Sequence, residues 1–246
     1  MLGLPDGVTV CLFDLDGVLT KTAKVHAAAW KEMFDAYLAE RAKKSGGSFE
    51  PFDEVQDYDR YVDGKPRYDG VRSFLASRNI TLPDGAPGDP PDRETVDGLG
   101  NRKNEIVLRL IREHGVEAYE GSVRYVKAAR DAGLRRAVVS SSTNARDVLH
   151  AAGIEDLFEV RIDGNTAERE HLRGKPAPDT FLAGAKAFGA QPAEAVVFED
   201  ALAGVEAGRA GHFGFVVGVD RVGQAEQLRA HGASIVVTDL QELLPK

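Results

Sequence analysis

Two aspartates stand one residue apart in Asp14-Leu15-Asp16-Gly17-Val18-Leu19-Thr20, directly after the apolar run 8–13. Residues i and i+2 of an extended chain project to the same side, so both carboxylates point one way. Holding them together is unfavourable unless a cation or a shared proton relieves the repulsion. Gly17 permits a sharp turn through which backbone N–H groups can face a bound anion. A strand, then Asp-x-Asp-Gly, then a hydroxyl residue is too ordered for a solvated acidic turn and reads as a functional loop.

Three more chemistry-bearing groups close or follow apolar runs. Ser140 ends 137–139 and leads into Ser141-Ser142-Thr143-Asn144 at a helix start, where hydroxyls and free N–H groups can cradle phosphate. The same residues also make a good loop and N-cap. Lys175 lies in Gly174-Lys175-Pro176-Ala177-Pro178-Asp179, where prolines restrict the backbone before a helix. Taken alone it is equally a surface lysine. Glu199-Asp200 closes the apolar run 195–198 and would arrive at the same sheet edge, or else form an acidic turn. Open α/β sheets bind ligands beyond the carboxyl ends of their strands, which is where all four groups fall.

The elements that must position them follow from hydrophobic patterning. Short β-favouring runs recur at 8–13, 136–140, 195–199, 213–219 and 235–237, with a weaker one at 158–162. Helical stretches at 122–132, 144–152, 178–188 and 202–210 each stop at a glycine (Gly133, Gly153, Gly189 and Gly211). Strands alternating with such helices predict an α/β fold, a Rossmann-like parallel sheet with helices on both faces. Between the first strand and 136 the pattern turns helical. The segment 23–43 puts Trp30, Met33, Phe34, Tyr37 and Leu38 on one face, with further helices at 67–77 and 94–114. The loop 83–92 carries four prolines and two glycines. We therefore expect an α/β core of residues 1–22 and 106–246 and an inserted α-helical cap domain of 23–105.

Composition narrows the function. The 246 residues carry a net charge of −8, which disfavours a nucleic-acid partner and requires any anionic substrate to be held by local groups. The single cysteine, Cys11, sits in an apolar run, which fits buried packing and a reducing compartment. The start has no basic-then-apolar signal pattern, and no apolar stretch is long enough to cross a bilayer. The expectation is a cytoplasmic monomer acting on a small molecule, with no nucleic-acid or membrane partner.

In order and placement, Asp14, Ser140, Lys175 and Glu199-Asp200 together resemble the haloacid dehalogenase-like superfamily of phosphotransferases, over nearly the whole chain. The helical insertion resembles that superfamily's small α-helical cap. The resemblance implies that Asp14 attacks phosphorus to give an aspartyl-phosphate while Asp16 serves as general acid and base. Ser140 and Lys175 would hold the transferring phosphoryl group. Mg²⁺ would be bound by the Asp14 carboxylate, the Asp16 carbonyl and Asp200, with Glu199 bound directly or through water. The physics agrees: a carboxylate attacks an anionic phosphate only once charge is screened, and oxygen-only ligands suit Mg²⁺.

His26 after Thr22-Ala23-Lys24-Val25, Trp30, Arg67 in Gly64-Lys65-Pro66-Arg67, and Gly100-Asn101-Arg102-Lys103-Asn104 look like the superfamily's β-phosphoglucomutase branch. That likeness implies interconversion of β-D-glucose 1-phosphate and glucose 6-phosphate through β-glucose 1,6-bisphosphate, an isomerase reaction. His26 would partner Asp16, Arg67 would bind the phosphate that is not reacting, and Ser142 and Asn144 would contact substrate from the core side. Gly64, Trp30 and Lys103 complete the expected substrate-binding set. From the residues alone, His26 and Arg67 serve equally as surface groups and Trp30 as cap core. Two other functions use the same fold: a sugar-phosphate phosphatase and a non-catalytic binding protein.

Overall fold

The structure is a computed structural model and describes residues 2–48 and 50–245. In chain order the principal elements are β1 Val10–Phe13, α1 Ala23–Ser45, α2 Arg67–Ser77, α3 Val96–His114, α4 Glu120–Asp131 and β2 Arg135–Val139. There follow α5 Ala145–Ala151, β3 Val160–Ile162, α6 Gly164–Arg169, α7 Asp179–Ala187 and β4 Ala195–Glu199. α8 Leu202–Ala210, β5 Phe215–Val219, α9 Ala225–His231 and β6 Ile235–Val237 complete the set.

The chain divides into two compact units. One holds the residues up to Lys21, Gly64–Pro66 and everything from Val116 onward; the other holds Thr22–Asp63 and Arg67–Gly115. The expected core–cap boundary at 105/106 therefore falls inside α3, which runs unbroken to His114. It stops at Gly115, whose φ of 73° suits a residue without a side chain. Gly64–Pro66, placed within the cap by sequence, counts with the sheet-bearing unit.

In that first unit six strands make one sheet in the order β3-β2-β1-β4-β5-β6, every pair parallel. The order is that of a doubly wound Rossmann-like sheet, with the chain reversing direction of travel at β1. β1 is buried on both faces because its alternate residues are all apolar. Leu12 packs in a cluster with Ala137, Val139, Phe181 and Val197. Phe13 stacks on Phe198 on the other face at 4.4 Å between ring centroids, with Tyr125 edge-on to both. Cys11 is wholly buried, and burial pushes its thiol up to about 12. Register decides which strand ends coincide: Phe13 pairs with Val138 on one side and Phe198 on the other. The residues after β1 and β2 and the end of β4 therefore meet at one edge.

The second unit has its own core. Trp30, Met33, Phe34, Tyr37 and Leu38 form one buried stripe of α1. Phe34 packs on Phe74 of α2 at 4.1 Å and on Trp30 at 5.2 Å, and each such fully buried ring stabilises the unit by about 1.5–3 kcal/mol. Thr95 caps α3 by accepting from the Gly98 amide. Among the described residues no helix is long and apolar enough to cross a membrane.

Candidate active site

Asp14 continues the sheet past β1, its amide donating to the Phe198 carbonyl at 2.9 Å. The next residues coil tightly. Gly17 donates to the Thr20 carbonyl at 2.8 Å, and the Thr20 hydroxyl donates to the Leu15 carbonyl at 3.2 Å. Gly17 has φ of 88°, and a Cβ there would stand 1.7 Å from Asp200 Oδ2. Only glycine lets the loops after β1 and β4 approach so closely.

Lys175 reaches this edge from the loop before α7, with its side chain about 1 % exposed. Its ammonium donates to Asp14 Oδ1 at 2.5 Å, Glu199 Oε1 at 2.6 Å and the Val139 carbonyl at 3.2 Å. Three protons meet three acceptors, so the lysine is locked in direction as well as place. Glu199 is fully buried at the end of β4, and its Oε2 accepts from the Ala201 amide at 2.8 Å. Behind it Gly204 of α8 leaves no room: a Cβ there would lie 1.7 Å from Glu199 Oε1.

Asp14, Glu199 and Asp200 each offer a carboxylate oxygen, and these lie within 4.8 Å of one another. Burial pushes the Asp14 carboxyl well above the usual carboxylate range; Lys175 opposes this, while Glu199 and Asp16 add to it. Burial pulls the Lys175 ammonium down, but Asp14 and Glu199 outweigh it and hold its pKa above the ordinary lysine value. Three buried carboxylates, with Asp16 close enough to act on Asp14, thus share one lysine that bonds two of them. An all-oxygen donor set with excess negative charge fits a hard divalent cation, which would restore Asp14 to its ionised form. Asp14 and Asp200 have the geometry to hold such an ion. Both Glu199 oxygens already accept bonds from Lys175 and Ala201.

Ser140, 2 % exposed, follows β2 with its amide on the Ile162 carbonyl. Its hydroxyl accepts from the Ser142 amide at 3.1 Å, and the Ser142 hydroxyl accepts from the Asn144 amide at 3.1 Å. Each hydroxyl keeps its own proton to donate, as a phosphoryl-holding group must. Ser141 donates to the Gly64 carbonyl at 2.8 Å. The structure thus brings Asp14, Ser140, Lys175, Glu199 and Asp200 to one sheet edge, with Asp16 in the first loop and Ser142 and Asn144 in the second.

The inserted unit gathers its expected residues into two groups. Lys103, 6 % exposed on α3, places Nζ 2.7 Å from His26 Nδ1 and 4.7 Å from the centre of the Trp30 ring. A charged ammonium can only donate, so with Lys103 charged Nδ1 is the acceptor. Trp30, expected among the substrate-binding residues, is core: it is 2 % exposed, stacks on Phe34 and offers its ring to Lys103. In the second group Arg67 Nη2 donates to the Tyr68 hydroxyl at 2.9 Å, which donates in turn to Asn101 Oδ1 at 2.9 Å. Asn101 is anchored to the Pro87 and Asp89 carbonyls at 3.0 and 2.9 Å. Tyr68 was not among the residues expected from sequence, although its place beside Arg67 at the start of α2 is a signal that could have found it.

Comparison with known proteins agrees with this geometry. Residues 8–212 match the haloacid dehalogenase-like hydrolase family. A β-phosphoglucomutase of Mycobacterium bovis is 59 % identical over 99 % of this chain and 94 % of its own length. One from Bacillus subtilis is 31 % identical over 94 % and 90 %. The crystal structure of a Clostridium difficile β-phosphoglucomutase superimposes with a TM-score of 0.74 at 26 % identity, covering 96 % of this chain and 93 % of that one. The chain belongs to the haloacid dehalogenase-like hydrolase family and is a phosphotransferase enzyme similar to the β-phosphoglucomutases.

Proposed function

We propose that this protein interconverts β-D-glucose 1-phosphate and glucose 6-phosphate through an aspartyl-phosphate on Asp14 and a β-glucose 1,6-bisphosphate intermediate. The observation that carries the reading is the buried cluster in which Lys175 bonds both Asp14 and Glu199 beside Asp200. The 59 % identity to β-phosphoglucomutases supports the choice of sugar. Mg²⁺ would be held by the Asp14 and Asp200 carboxylates and the Asp16 carbonyl, with Glu199 acting through water. When bound it would supply charge screening for the attack of a carboxylate on a phosphate.

Phospho-Asp14 first donates to a free hydroxyl of β-glucose 1-phosphate: Asp16 takes the proton of that hydroxyl, its oxygen bonds to phosphorus, and the acyl-phosphate bond breaks to leave the bisphosphate. The bisphosphate turns over, Asp14 attacks its other phosphorus as that P–O ester bond breaks, and Asp16 delivers the proton to the departing sugar oxygen, leaving glucose 6-phosphate and phospho-Asp14. Lys175 and Ser140 steady the phosphoryl oxygens throughout. His26, held 2.7 Å from the Lys103 ammonium, assists the acid–base residue, and Arg67 binds the second phosphate. A guanidinium fork suits either end of a bisphosphate bound in two orientations. The reaction is placed in the cytoplasm, where phosphorylated sugars and a lone reduced cysteine belong.

The test is a product assay with β-glucose 1-phosphate, Mg²⁺ and trace bisphosphate. Glucose 6-phosphate is expected; inorganic phosphate as the main product would make the protein a hydrolase. Arg67→Ala and His26→Ala should each lower kcat/KM by about 10²–10⁴-fold, the scale of a lost positioning or acid–base contribution. Full activity in both variants would overturn the assignment of the inserted unit's residues.

A further inference from the structure

The segment after β5 grips the backbone of both acidic loops. Arg221 Nε donates to the Gly17 carbonyl at 2.7 Å and Nη2 to the Val18 carbonyl at 3.4 Å. Its Nη1 donates to the Thr238 carbonyl at 2.7 Å, its guanidinium carbon lies 3.6 Å from the centre of the Tyr119 ring, and Asp239 stands 3.8 Å away. Three residues on, Gln224 is 9 % exposed and its Nε2 donates to the Asp200 carbonyl at 3.1 Å. The segment is itself knotted by Asp220 Oδ1, which accepts from the amides of Val222, Gly223 and Gln224 at 3.2, 2.7 and 2.9 Å.

These bonds meet where the two acidic loops press together, since Asp200 Oδ2 occupies the space a Gly17 side chain would need. A carbonyl fixed by a buried amide or guanidinium fixes the peptide plane beside it, and with it the neighbouring carboxylate and carbonyl ligands. We propose that Arg221 and Gln224 are positioning residues that set the separation between the Asp14–Asp16 loop and Asp200, and thereby the affinity of the divalent-cation site. This rests on the assignment of Asp14, Asp16 and Asp200 as metal ligands. It adds a fifth segment, from β5, to a site otherwise built by β1, β2, β4 and the Lys175 loop.

The experiment uses the full-length protein without substrate, titrated with Mn²⁺ and read by the electron paramagnetic resonance of the free ion. Arg221→Met and Gln224→Met should each weaken Mn²⁺ binding by about 10-fold or more, as loss of an outer-shell partner does. At saturating Mg²⁺ the KM for β-glucose 1-phosphate should stay within about 2-fold, because neither side chain is assigned to the sugar. Arg221→Lys, able to reach one carbonyl but not fork, should fall between parent and Arg221→Met. Unchanged Mn²⁺ affinity in variants with the parent's circular dichroism would overturn the inference and leave the metal ligands standing. A parent that binds no Mn²⁺ would overturn both. Should Arg221→Met fail to fold, Gln224→Met decides, since it keeps the shape and removes only the bond to Asp200.

Discussion

Lys175 shows how one residue can link stability and chemistry. Its three bonds neutralise Glu199, which is fully buried, while aiming charge at Asp14. Lys175→Met should abolish phosphoryl labelling of Asp14 by acetyl phosphate. It should also lower stability in urea by about 3–5 kcal/mol, because an uncompensated carboxylate stays buried. Adding Glu199→Gln should recover part of that stability and none of the labelling, a coupling that a double-mutant cycle measures. The pKa of Lys175 is raised in the folded state, so its contribution is complete below the ordinary lysine value of 10.5 and fades only as pH climbs through the higher folded value. The deficit of Lys175→Met should accordingly persist up to about pH 9, below the ordinary titration range of lysine, and shrink as pH falls and the raised Asp14 carboxyl takes up a proton.

Elements place these residues, and here the link between sequence and structure is uneven. The strands that deliver Asp14, Ser140 and Glu199 were legible because each is an apolar run ending in a polar residue, and parallel pairing brings such ends together. The boundary near 105 was not, since α3 has no breaker between Gly100 and Gly115 and no change in patterning marks the crossing. Arg221 and Gln224 also escaped notice: they act on main-chain carbonyls, which leave no signature in residue type. α3 begins at Thr95, whose hydroxyl accepts from Gly98 N and donates to Asp89. Thr95→Ala should cost about 0.5–2 kcal/mol at pH 7 by thermal or urea unfolding. The Thr95 bond is the main reason the Asp89 carboxyl titrates below its ordinary 3.8. Its stabilisation is present above that value and lost as pH falls through the depressed one, so the gap between parent and variant should close in acid.

For the molecule as a whole, the sheet-bearing unit should stand alone. Its two chain segments at the insertion point are already tied together: Lys21 donates to the Glu117 carbonyl at 2.8 Å and Tyr119 to the Leu19 carbonyl at 2.9 Å. Thr20 and Ala118 form an antiparallel bridge between them. A chain in which a short Gly-Ser linker replaces residues 22–115, and with them the Gly64–Pro66 piece of this unit, should still fold, as judged by circular dichroism and a cooperative melt. It should bind Mn²⁺ and accept a phosphoryl group on Asp14, while glucose 6-phosphate formation falls by about 10²-fold or more for want of the groups that orient the sugar. Loss of Mn²⁺ binding in a folded core would mean that the edge is incomplete without the inserted residues.

The close approach of Gly204 to Glu199 limits how this chain can drift. α8 contributes no residue to the cluster, yet one extra carbon on it would shove the glutamate off the lysine and strand the counter-charge of Asp14. Tolerance to change is therefore lowest not only around the phosphoryl group but also on the helix behind it, at a position that a survey of reactive side chains would pass over.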